Sequence, residues 1–303
     1  MHTGDGDGWV VLPDGSRRWG RYGASGLLLH ATDPKGTGHV LLQHRAWWSH
    51  MGDTWGMPGG ALNSGESAVQ AALREFGEEV AGELGEIMLS GVHRQDHSVW
   101  RYDTVLARAA EKRVFSPGNN ESSAIRWVPL DEVTGLRLLP AFGRIWPQIR
   151  EALAQRLVLV VDVPTVLGHR FGGEETNSGT TAEAATRLRD DLATLAATGI
   201  DGTELPDGLS LAPLHRWFPH VRLLVEKGVP APLPVPGIDV VQALGGPEAD
   251  AEGAADTARI GRGPGALVAT GRPALFAGSQ VVSPQWLSAA LNRVDGDHRE
   301  PAG

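Results

Sequence analysis

The sequence of 303 residues lacks cysteine altogether and contains little lysine. The absence of cysteine excludes disulfide bonds and thiolate zinc sites, and it predicts a cytoplasmic protein in a reducing compartment. Lysine occurs only three times, and the net charge is −9. A chain this acidic does not favour sequence-independent binding to long nucleic acid, which requires a dense cationic surface. Small anionic substrates are not excluded, because a divalent ion can invert the local charge of an acidic site.

Long hydrophobic runs are also missing. The longest, Leu157–Val161, is far too short to cross a bilayer. The first eight residues are polar and glycine-rich, so they contain no apolar core of a signal peptide and are expected to be disordered. We therefore expect no membrane partner.

The length favours two domains, which we place at residues 1–155 and 156–303, with residues 295–303 as a loose tail. The first half predicts a mixed α/β domain. Its helices are expected over about 66–82 and 140–155, and its strands over 25–30, 40–43, 99–106 and 124–128.

After residue 156 the pattern changes to strands alternating with helices, which predicts a three-layer α/β domain with a mainly parallel sheet. The expected strands are 157–162, 221–226, 238–242, 266–270 and 280–282, and the expected helices are 181–197, 250–260 and 284–294.

The strongest motif lies at the start of the first predicted helix. Gly60 is followed after five residues by Glu66, and seven further residues lead to the run REFGEE over 74–79. Asn63 or Ser64 would cap the helix, with Glu66 completing a capping box. Val69, Leu73, Phe76 and Val80 would then pack on the sheet, and Gly82 would end the helix.

Three glutamates of this motif, Glu75, Glu78 and Glu79, fall on a different helical face without a lysine among them. Such carboxylates repel one another unless a hard cation such as Mg²⁺ lies between them. Arg74 can orient a carboxylate, and the carbonyl of Gly60 can add an oxygen ligand. A glutamate-rich helix face is more often plain solvated surface. The spacing argues against that here, because a chance match of all six specified residues has a probability on the order of 10⁻⁴ to 10⁻⁵.

The motif resembles the Nudix box of the MutT-like hydrolases. The likeness extends over about residues 20–155, with HRAWW at 44–48 and WGMPGG at 55–60 upstream, and NESSAIRWVPLDEV at 120–133 downstream. Ala81 and Gly82 depart from the pattern, which has glycine and an aliphatic residue there, and Phe76 replaces an aliphatic residue.

The resemblance implies an α/β/α sandwich with a mixed sheet and a Mg²⁺-dependent or Mn²⁺-dependent hydrolase of nucleoside diphosphate derivatives. It implies that Gly60, Glu75, Glu78 and Glu79 hold metal and that Arg74 orients a carboxylate. Glu66 either helps to bind metal or caps the helix. The general base is a glutamate of the box or Glu121, which otherwise is an exposed loop residue.

The substrate remains open between an oxidised nucleoside triphosphate, another nucleoside triphosphate and a sugar nucleotide. Candidate substrate-binding residues are Arg45, Trp47, Trp48, Trp55 and Asn120. Trp100 is a further candidate for stacking on a base, although buried tryptophan more often packs in a core. His93, Asp96 and His97 form a polar cluster that is more typical of a hairpin loop.

In the second half, Asp162 follows an apolar strand, at the sheet edge where α/β proteins build sites. The layout weakly resembles a PIN/NYN-like nuclease domain, with Glu248 or Asp250 as further candidate acids. Thr165 and Gly271 stand where such a site needs an asparagine-like residue and an acid. We therefore expect a degenerate domain that binds a partner or supports a homodimer, or a structural appendage.

Two other functions remain as alternatives. One is a sensor that binds a nucleotide without hydrolysing it, which the intact REFGEE argues against. The other is a bifunctional enzyme with ribonuclease activity in the second half, which the missing acid at position 271 argues against.

Overall fold

The computed structural model describes residues 4–171, 178–226, 231–243 and 262–297. The chain forms two compact units, residues 1–154 with 213–215 and residues 155–212 with 216–303. Both predicted fold classes are confirmed: the first unit has a mixed sheet and the second a parallel one. The predicted helix 250–260 lies outside the described residues.

The sheet of the first unit runs in the order β11-β4-β3-β9-β8. Strand β3 pairs parallel with β9, and the other neighbours in this order pair antiparallel. Two short strands, β5 and β6, add to β4 and β3. The strands of the unit are β1 Trp9–Val11, β2 Arg17–Trp19, β3 Ala24–Thr32, β4 Gly38–Arg45, β5 Trp55–Gly56, β6 Gly59–Ala61, β7 Val80–Ala81, β8 Ile87–Asp96, β9 Arg101–Ala109, β10 Ser116–Pro117 and β11 Ser122–Pro129.

The strand β8 was not predicted from the sequence. Its residues Ser90–Val92 are buried, but its ends are polar or partly exposed and no clear alternation marks it. Hydrogen bonds to β9 along nearly its whole length hold β8 in the extended conformation, which its amino-acid composition alone does not predict.

Asp5 and Gly6, in the segment expected to be disordered, contact the turn before the first helix. The amide of Ser64 donates to the Asp5 carboxylate at 3.0 Å. The amide of Gly6 donates to Asn63 Oδ1 at 3.3 Å. These two hydrogen bonds connect a polar segment that has no hydrophobic pattern of its own to the turn that precedes α1.

Helix α1 spans Ala68–Glu79, so both predicted ends were wrong. Its cap is Ser67, whose hydroxyl accepts from the Gln70 amide while Gln70 reaches back to the Ser67 amide. Gly65 has φ +72°, so the chain turns there before the helix begins. The helix stops at Glu79 because Val80 is extended and pairs with Pro117 in β10.

The buried stripe of α1 also differs from the prediction. Ala72, Phe76 and Glu79 are buried, whereas Leu73 is exposed. Glu79 therefore lies on the face turned to the sheet, apart from the solvated side of the helix. The prediction that the three glutamates share a face separate from that of Phe76 is therefore wrong for Glu79.

Helix α2, Pro140–Leu153, lies on the other side of the sheet from α1. The hydroxyl of Ser25 in β3 donates to the Ala68 carbonyl of α1. Asp103 of β9 is in register with Ser25, so its side chain is on the same side of the sheet as α1. On β8, Arg94 pairs with Asp103, whereas the preceding residue, His93, contacts Gln148 of α2 at 2.9 Å. Neighbouring residues of a strand point to opposite faces, so the two helices sandwich the sheet.

The second unit has a parallel sheet in the order β16-β15-β12-β17-β18. Its central strands are almost wholly apolar, as strands covered on both faces require. The strands of this unit are β12 Val158–Asp162, β13 Ile200–Asp201, β14 Arg216–Trp217, β15 His220–Glu226, β16 Ile238–Ala243, β17 Ala266–Ala269 and β18 Gln280–Val282.

Three helices of the second unit are described, α3 Val163–Phe171, α4 Ser178–Thr198 and α5 Pro284–Asp297. Helix α3 was missed because Pro164 and Gly168 obscured its short pattern. Helix α5 continues to Asp297, three residues into the segment expected to be a loose tail. No helix within the described residues is long and apolar enough to span a membrane.

Candidate active site

A cleft of about 680 Å³ opens in the first unit at the C-terminal half of α1. Five acidic residues line it: Glu75, Glu78 and Glu79 from the helix, Glu121 from the loop before β11, and Asp7 from the segment before β1. The structure therefore brings the predicted catalytic glutamates together at one surface.

Arg74 connects the carboxylates at the helix. Its guanidinium donates to Glu66 at 2.9 and 3.0 Å, to Glu75 at 2.8 Å and to Glu78 at 3.3 Å. It also donates to the Ala61 carbonyl at 2.7 Å. One planar fork thus fixes the orientation of several acids, as the sequence predicted for Arg74.

Glu66 accepts from the Asn63 amide at 3.0 Å and from Arg74, so it orders the turn before the helix. Hydrogen bonds from Arg74 hold the pKa of Glu66 below its usual range. These contacts give Glu66 a role in shaping the approach to α1, although the capping box itself is formed by Ser67 and Gln70.

Glu79 is the most buried of the cleft carboxylates, with 5% of its surface exposed. The amide of Gly59 donates to its Oε2 atom at 2.8 Å. Burial raises the pKa of Glu79 to about 7, with a further contribution from the charges of Glu75 and Glu121. Burial likewise raises the pKa of Glu75, against the opposing effect of Arg74.

Gly60 lies against the carboxylate of Glu75. A Cβ atom at position 60 would lie 2.5 Å from Glu75 Oε2. Only glycine lets the backbone approach this carboxylate so closely, which brings the Gly60 carbonyl and the glutamate into one neighbourhood.

These residues fit a hard divalent cation by their chemistry. All offer oxygen atoms as ligands, one carboxylate is buried, and no lysine lines the cleft. Among the residues that the structure describes, no three His, Asp or Glu side chains already converge as a metal cage. Nη1 of Arg74 lies between Glu75 and Glu78 and donates to both.

Of the predicted substrate-binding residues, Arg45 lines the cleft. Trp47, Trp48, Trp55 and Asn120 are not among its lining residues. Trp47 and Trp48 are 78% and 58% exposed and pack edge to face on each other. Trp55 stacks on His44 with ring centroids 4.7 Å apart, and the Arg126 guanidinium covers its ring.

The polar cluster predicted at His93, Asp96 and His97 is split by the β8–β9 hairpin. Only His97 of the three lines the cleft, together with Gln95. His93 contacts Gln148, and the Asp96 carboxylate accepts from the Ser98 amide within the turn.

Sequence reasoning missed the contribution of the N-terminal hairpin to the cleft. Trp9 of β1 and Trp19 of β2 both line it. Trp100, a predicted stacking candidate, also lines the cleft, but it is 9% exposed and its indole N–H donates to the carbonyls of Trp19 and Gly20. The density of tryptophan near the N-terminus was the available signal.

The candidate site of the second unit has a different chemistry. Asp162, 1% exposed, accepts from Arg272 at 2.6 and 3.1 Å and from the Thr270 hydroxyl at 2.5 Å. The Gly271 amide donates to the Thr165 hydroxyl. Glu248 and Asp250 lie outside the described residues. The guanidinium therefore already neutralises Asp162.

Comparison with known proteins agrees with the geometry of the first unit. Residues 23–152 match the model of the NUDIX domain. The chain is 49% identical over 157 residues to "Putative 8-oxo-dGTP diphosphatase 3" of Mycobacterium tuberculosis, covering 50% of this chain and 72% of that protein. This chain belongs to the Nudix family.

Two further relatives share the Nudix region. A "Nucleoside triphosphate pyrophosphatase/Nudix hydrolase fusion protein" of Bifidobacterium longum is 44% identical over 152 residues, 49% of this chain and 32% of that protein. The chain is also similar to the Nudix hydrolase RenU of M. smegmatis, whose crystal structure is known. The two are 43% identical over 49% of this chain and 96% of RenU, with a TM-score of 0.46. The first unit is thus a hydrolase domain acting on nucleoside diphosphate linkages.

Proposed function

We propose that the first unit hydrolyses a phosphoanhydride bond of a nucleoside triphosphate, with an oxidised purine nucleotide such as 8-oxo-dGTP as the preferred substrate. The observation that carries the proposal is the cleft itself, in which Glu75, Glu78, Glu79 and Glu121 share one surface. The substrate preference follows the printed name of the Mycobacterium tuberculosis relative, which is 49% identical over the same region.

The metal ligands in this proposal are Glu75, Glu78, Glu79 and the carbonyl of Gly60, and the ion is Mg²⁺, with Mn²⁺ able to replace it. When bound, such ions neutralise phosphate charge and make water a stronger nucleophile. Arg74 keeps Glu75 and Glu78 in place through its hydrogen bonds to both. The Gly59 amide donates to one carboxylate oxygen of Glu79, which fixes the orientation of the carboxylate and leaves its second oxygen for the metal ion.

Glu121 is the proposed general base. It lies on a different element from the box and lines the same cleft, and none of the hydrogen bonds described for Arg74 reaches it. The amide of Glu121 donates to Asn119 Oδ1 and its carbonyl accepts from the Ala46 amide, so its backbone is anchored. Its carboxylate takes the proton of the attacking water as the phosphoanhydride P–O bond breaks.

Arg45 and Arg144 supply positive charge toward the substrate phosphates. Both line the cleft, Arg45 from the end of β4 and Arg144 from α2. A guanidinium pairs with phosphate oxygens through two parallel hydrogen bonds, which favours anionic substrates in a chain that is acidic overall.

The test is hydrolysis of a substrate panel with Mg²⁺, containing 8-oxo-dGTP, dGTP, the other deoxynucleoside triphosphates, a dinucleoside polyphosphate and a sugar nucleotide. Wild type is compared with Glu78→Gln, Glu121→Gln and the control Glu83→Gln, whose side chain is 95% exposed and outside the cleft. We expect the highest kcat/KM for 8-oxo-dGTP, a loss of at least about 100-fold in both cleft variants, and an unchanged control.

The outcomes separate the alternatives. If wild type binds nucleotides but turns over no panel member, the protein is a sensor and the hydrolase proposal fails. If another class is preferred, the substrate assignment fails while the reaction stands. If Glu121→Gln retains full activity, the general base is a glutamate of the box.

A further inference from the structure

The N-terminal hairpin presents two tryptophan rings to the cleft. Trp9 and Trp19 are directly opposite each other across β1 and β2. Their ring centroids are 5.3 Å apart at 75°, and the His50 ring packs edge to face on Trp9 with centroids 5.7 Å apart. This arrangement leaves one aromatic face and neighbouring ring edges available to a planar ligand.

Both rings remain substantially exposed. Trp9 is 49% exposed and Trp19 is 43% exposed, although the hairpin that carries them is held in place. Exposed neighbouring indoles leave apolar area in water, and such patches mark binding surfaces more often than scattered single residues do. Here the exposed rings line the same cleft as the box carboxylates.

The hairpin is anchored on its other side. The indole N–H of Trp100 donates to the carbonyls of Trp19 and Gly20. The amides of Gly20 and Arg21 donate to the carbonyls of Gly8 and Gly6, each at 2.8 Å, which extends the pairing of the two arms of the hairpin. A two-stranded ribbon of three-residue strands is marginal by itself. The hydrogen bonds from Trp100 hold it at the cleft, so the rings are prepositioned before any ligand binds.

Trp9 and Trp19, which together form an aromatic wall of the cleft, precede the residues that match the Nudix model. The Nudix model begins at residue 23, after the end of β2 at Trp19. The Nudix region supplies the glutamates of the cleft, whereas the preceding segment supplies two exposed tryptophan rings. Acidic side chains that hold a cation suit the phosphates of a nucleotide, and exposed indole rings suit its base.

We propose that Trp9 and Trp19 form the binding surface for the nucleobase, with the base stacked on one indole and bordered by the ring edges of the other and of His50. The inference rests on the proposed function, because it assumes that the phosphates bind at the box. A cleft of about 680 Å³ is within the range of pockets that enclose small ligands of this size. Stacking on indole tolerates any base, so this wall contributes affinity for the base more than discrimination among bases.

The experiment measures binding without turnover. Deoxyguanosine monophosphate has no phosphoanhydride bond, so the protein cannot hydrolyse it by the proposed reaction. 2-Deoxyribose 5-phosphate is the matched ligand that lacks the base. Dissociation constants of both are measured by calorimetry with Mg²⁺ present, for wild type, Trp9→Leu, Trp19→Leu, Trp19→Phe and the control Trp48→Leu, which removes an exposed ring outside the cleft.

We expect each leucine variant to bind deoxyguanosine monophosphate about tenfold more weakly or worse, with binding of deoxyribose phosphate unchanged. Trp19→Phe should recover most of the loss, and Trp48→Leu should match wild type. Thermal unfolding of each variant reports whether the hairpin change has damaged the unit, and Trp19→Phe, which keeps a ring, tests the inference if a leucine variant fails to fold.

Three results would overturn the inference. Wild type could bind both ligands equally, the leucine variants could bind the nucleotide like wild type, or they could lose both ligands in parallel. None of these depends on whether any triphosphate is hydrolysed. Failure of the hydrolase proposal is seen in the substrate panel, and failure of the base site is seen in this comparison.

Discussion

The backbone amide of Gly59 donates to the carboxylate of Glu79 across 2.8 Å. This hydrogen bond joins the loop that enters the box to the last residue of α1. It offsets only part of the cost of burying the charged carboxylate, which is 5% exposed. Burial raises the pKa of Glu79 to about 7. The buried acid therefore costs stability wherever it is ionised and no cation is present.

Glu79→Gln should stabilise the metal-free protein and inactivate it. The folded-state pKa of Glu79 is above its ordinary value of 4.5, so the folded state retains a proton that the unfolded state has lost. The stability conferred by that proton is present below pH 4.5 and is lost as the pH rises through about 7. In EDTA at pH 8 we expect the free energy of unfolding of the variant to exceed that of wild type by roughly 1–3 kcal/mol.

Urea unfolding in EDTA and hydrolysis with Mg²⁺ check this pair of effects. Activity should fall by at least about 100-fold, since a neutral amide is a poorer ligand than a carboxylate. A wild type that equals or exceeds the variant in stability at pH 8 would contradict the argument from burial.

Gly60→Ala should reduce activity with little change in stability. The new Cβ would lie 2.5 Å from a carboxylate oxygen of Glu75, and the flexible end of that side chain can move away. We expect hydrolysis to fall roughly 10- to 100-fold, because the displaced carboxylate is a proposed ligand. Steady-state kinetics and thermal unfolding measure the two effects separately.

Gly77→Ala is the matched control within the same motif. A Cβ at Gly77 in α1 would have nothing within 4 Å, so only helix propensity changes. The substitution should stabilise the protein by about 0.5–1 kcal/mol and leave the kinetics unchanged. If both alanines reduce activity alike, the close approach at Gly60 is not the cause.

His30 should make the first unit less stable in acid. It is 5% exposed in β3, and burial lowers its pKa from 6.5 to about 4, assisted by the charge of Arg108. Below pH 6.5 the unfolded state takes up a proton that the folded state refuses until about pH 4. The unfolding free energy therefore falls as the pH drops through this window.

Unfolding of wild type and His30→Gln at pH 7 and pH 4 isolates this residue from the other titrating groups. Between the two pH values wild type should lose roughly 2–3 kcal/mol more than the variant. Equal losses in both proteins would show that His30 accepts its proton in the folded state as readily as in the unfolded one.

The ion pair between Asp162 and Arg272 should be strongly coupled in the second unit. Asp162 is buried, and Arg272 donates to both of its oxygens. Arg272→Ala leaves a buried charge without its guanidinium and should cost about 2–4 kcal/mol, somewhat below the value for a fully buried pair because Arg272 is partly exposed.

A double-mutant cycle with Asp162→Ala tests the coupling. The sum of the losses in unfolding free energy of the two single variants should exceed the loss of the double variant by at least about 1 kcal/mol. Additive losses would show that the pair contributes no interaction energy, and they would reopen the possibility that Asp162 serves a ligand.

Local sequence determined much of the Nudix site. The spacing of Gly60, Glu66 and REFGEE predicted the helix, the role of Arg74 and the grouping of the glutamates, because these depend on helical geometry and on residue chemistry. The predicted ends of α1 were wrong, since several residues between Asn63 and Ser67 are able to cap a helix and only the turn at Gly65 selects among them.

The tryptophans show the limit of such reasoning. Trp47 and Trp48, which the sequence analysis predicts to bind substrate, do not line the cleft. Trp9 and Trp19, which it does not single out, do line it. No local pattern states that Trp100 will hold the hairpin through carbonyls some 80 positions away.

The sequence by itself determined the family and the α/β class of both units, and it supplied the proposed metal ligands, since short-range spacing and hydrophobic period carry that information. Tertiary structure alone decided that Glu79 is buried, that the hairpin completes the cleft, and that Arg272 reaches Asp162 from 110 positions away. These features depend on which strands become neighbours. That choice is set by the packing of the whole unit, because a contact between distant residues forms only when burial elsewhere offsets the entropy of closing the chain between them.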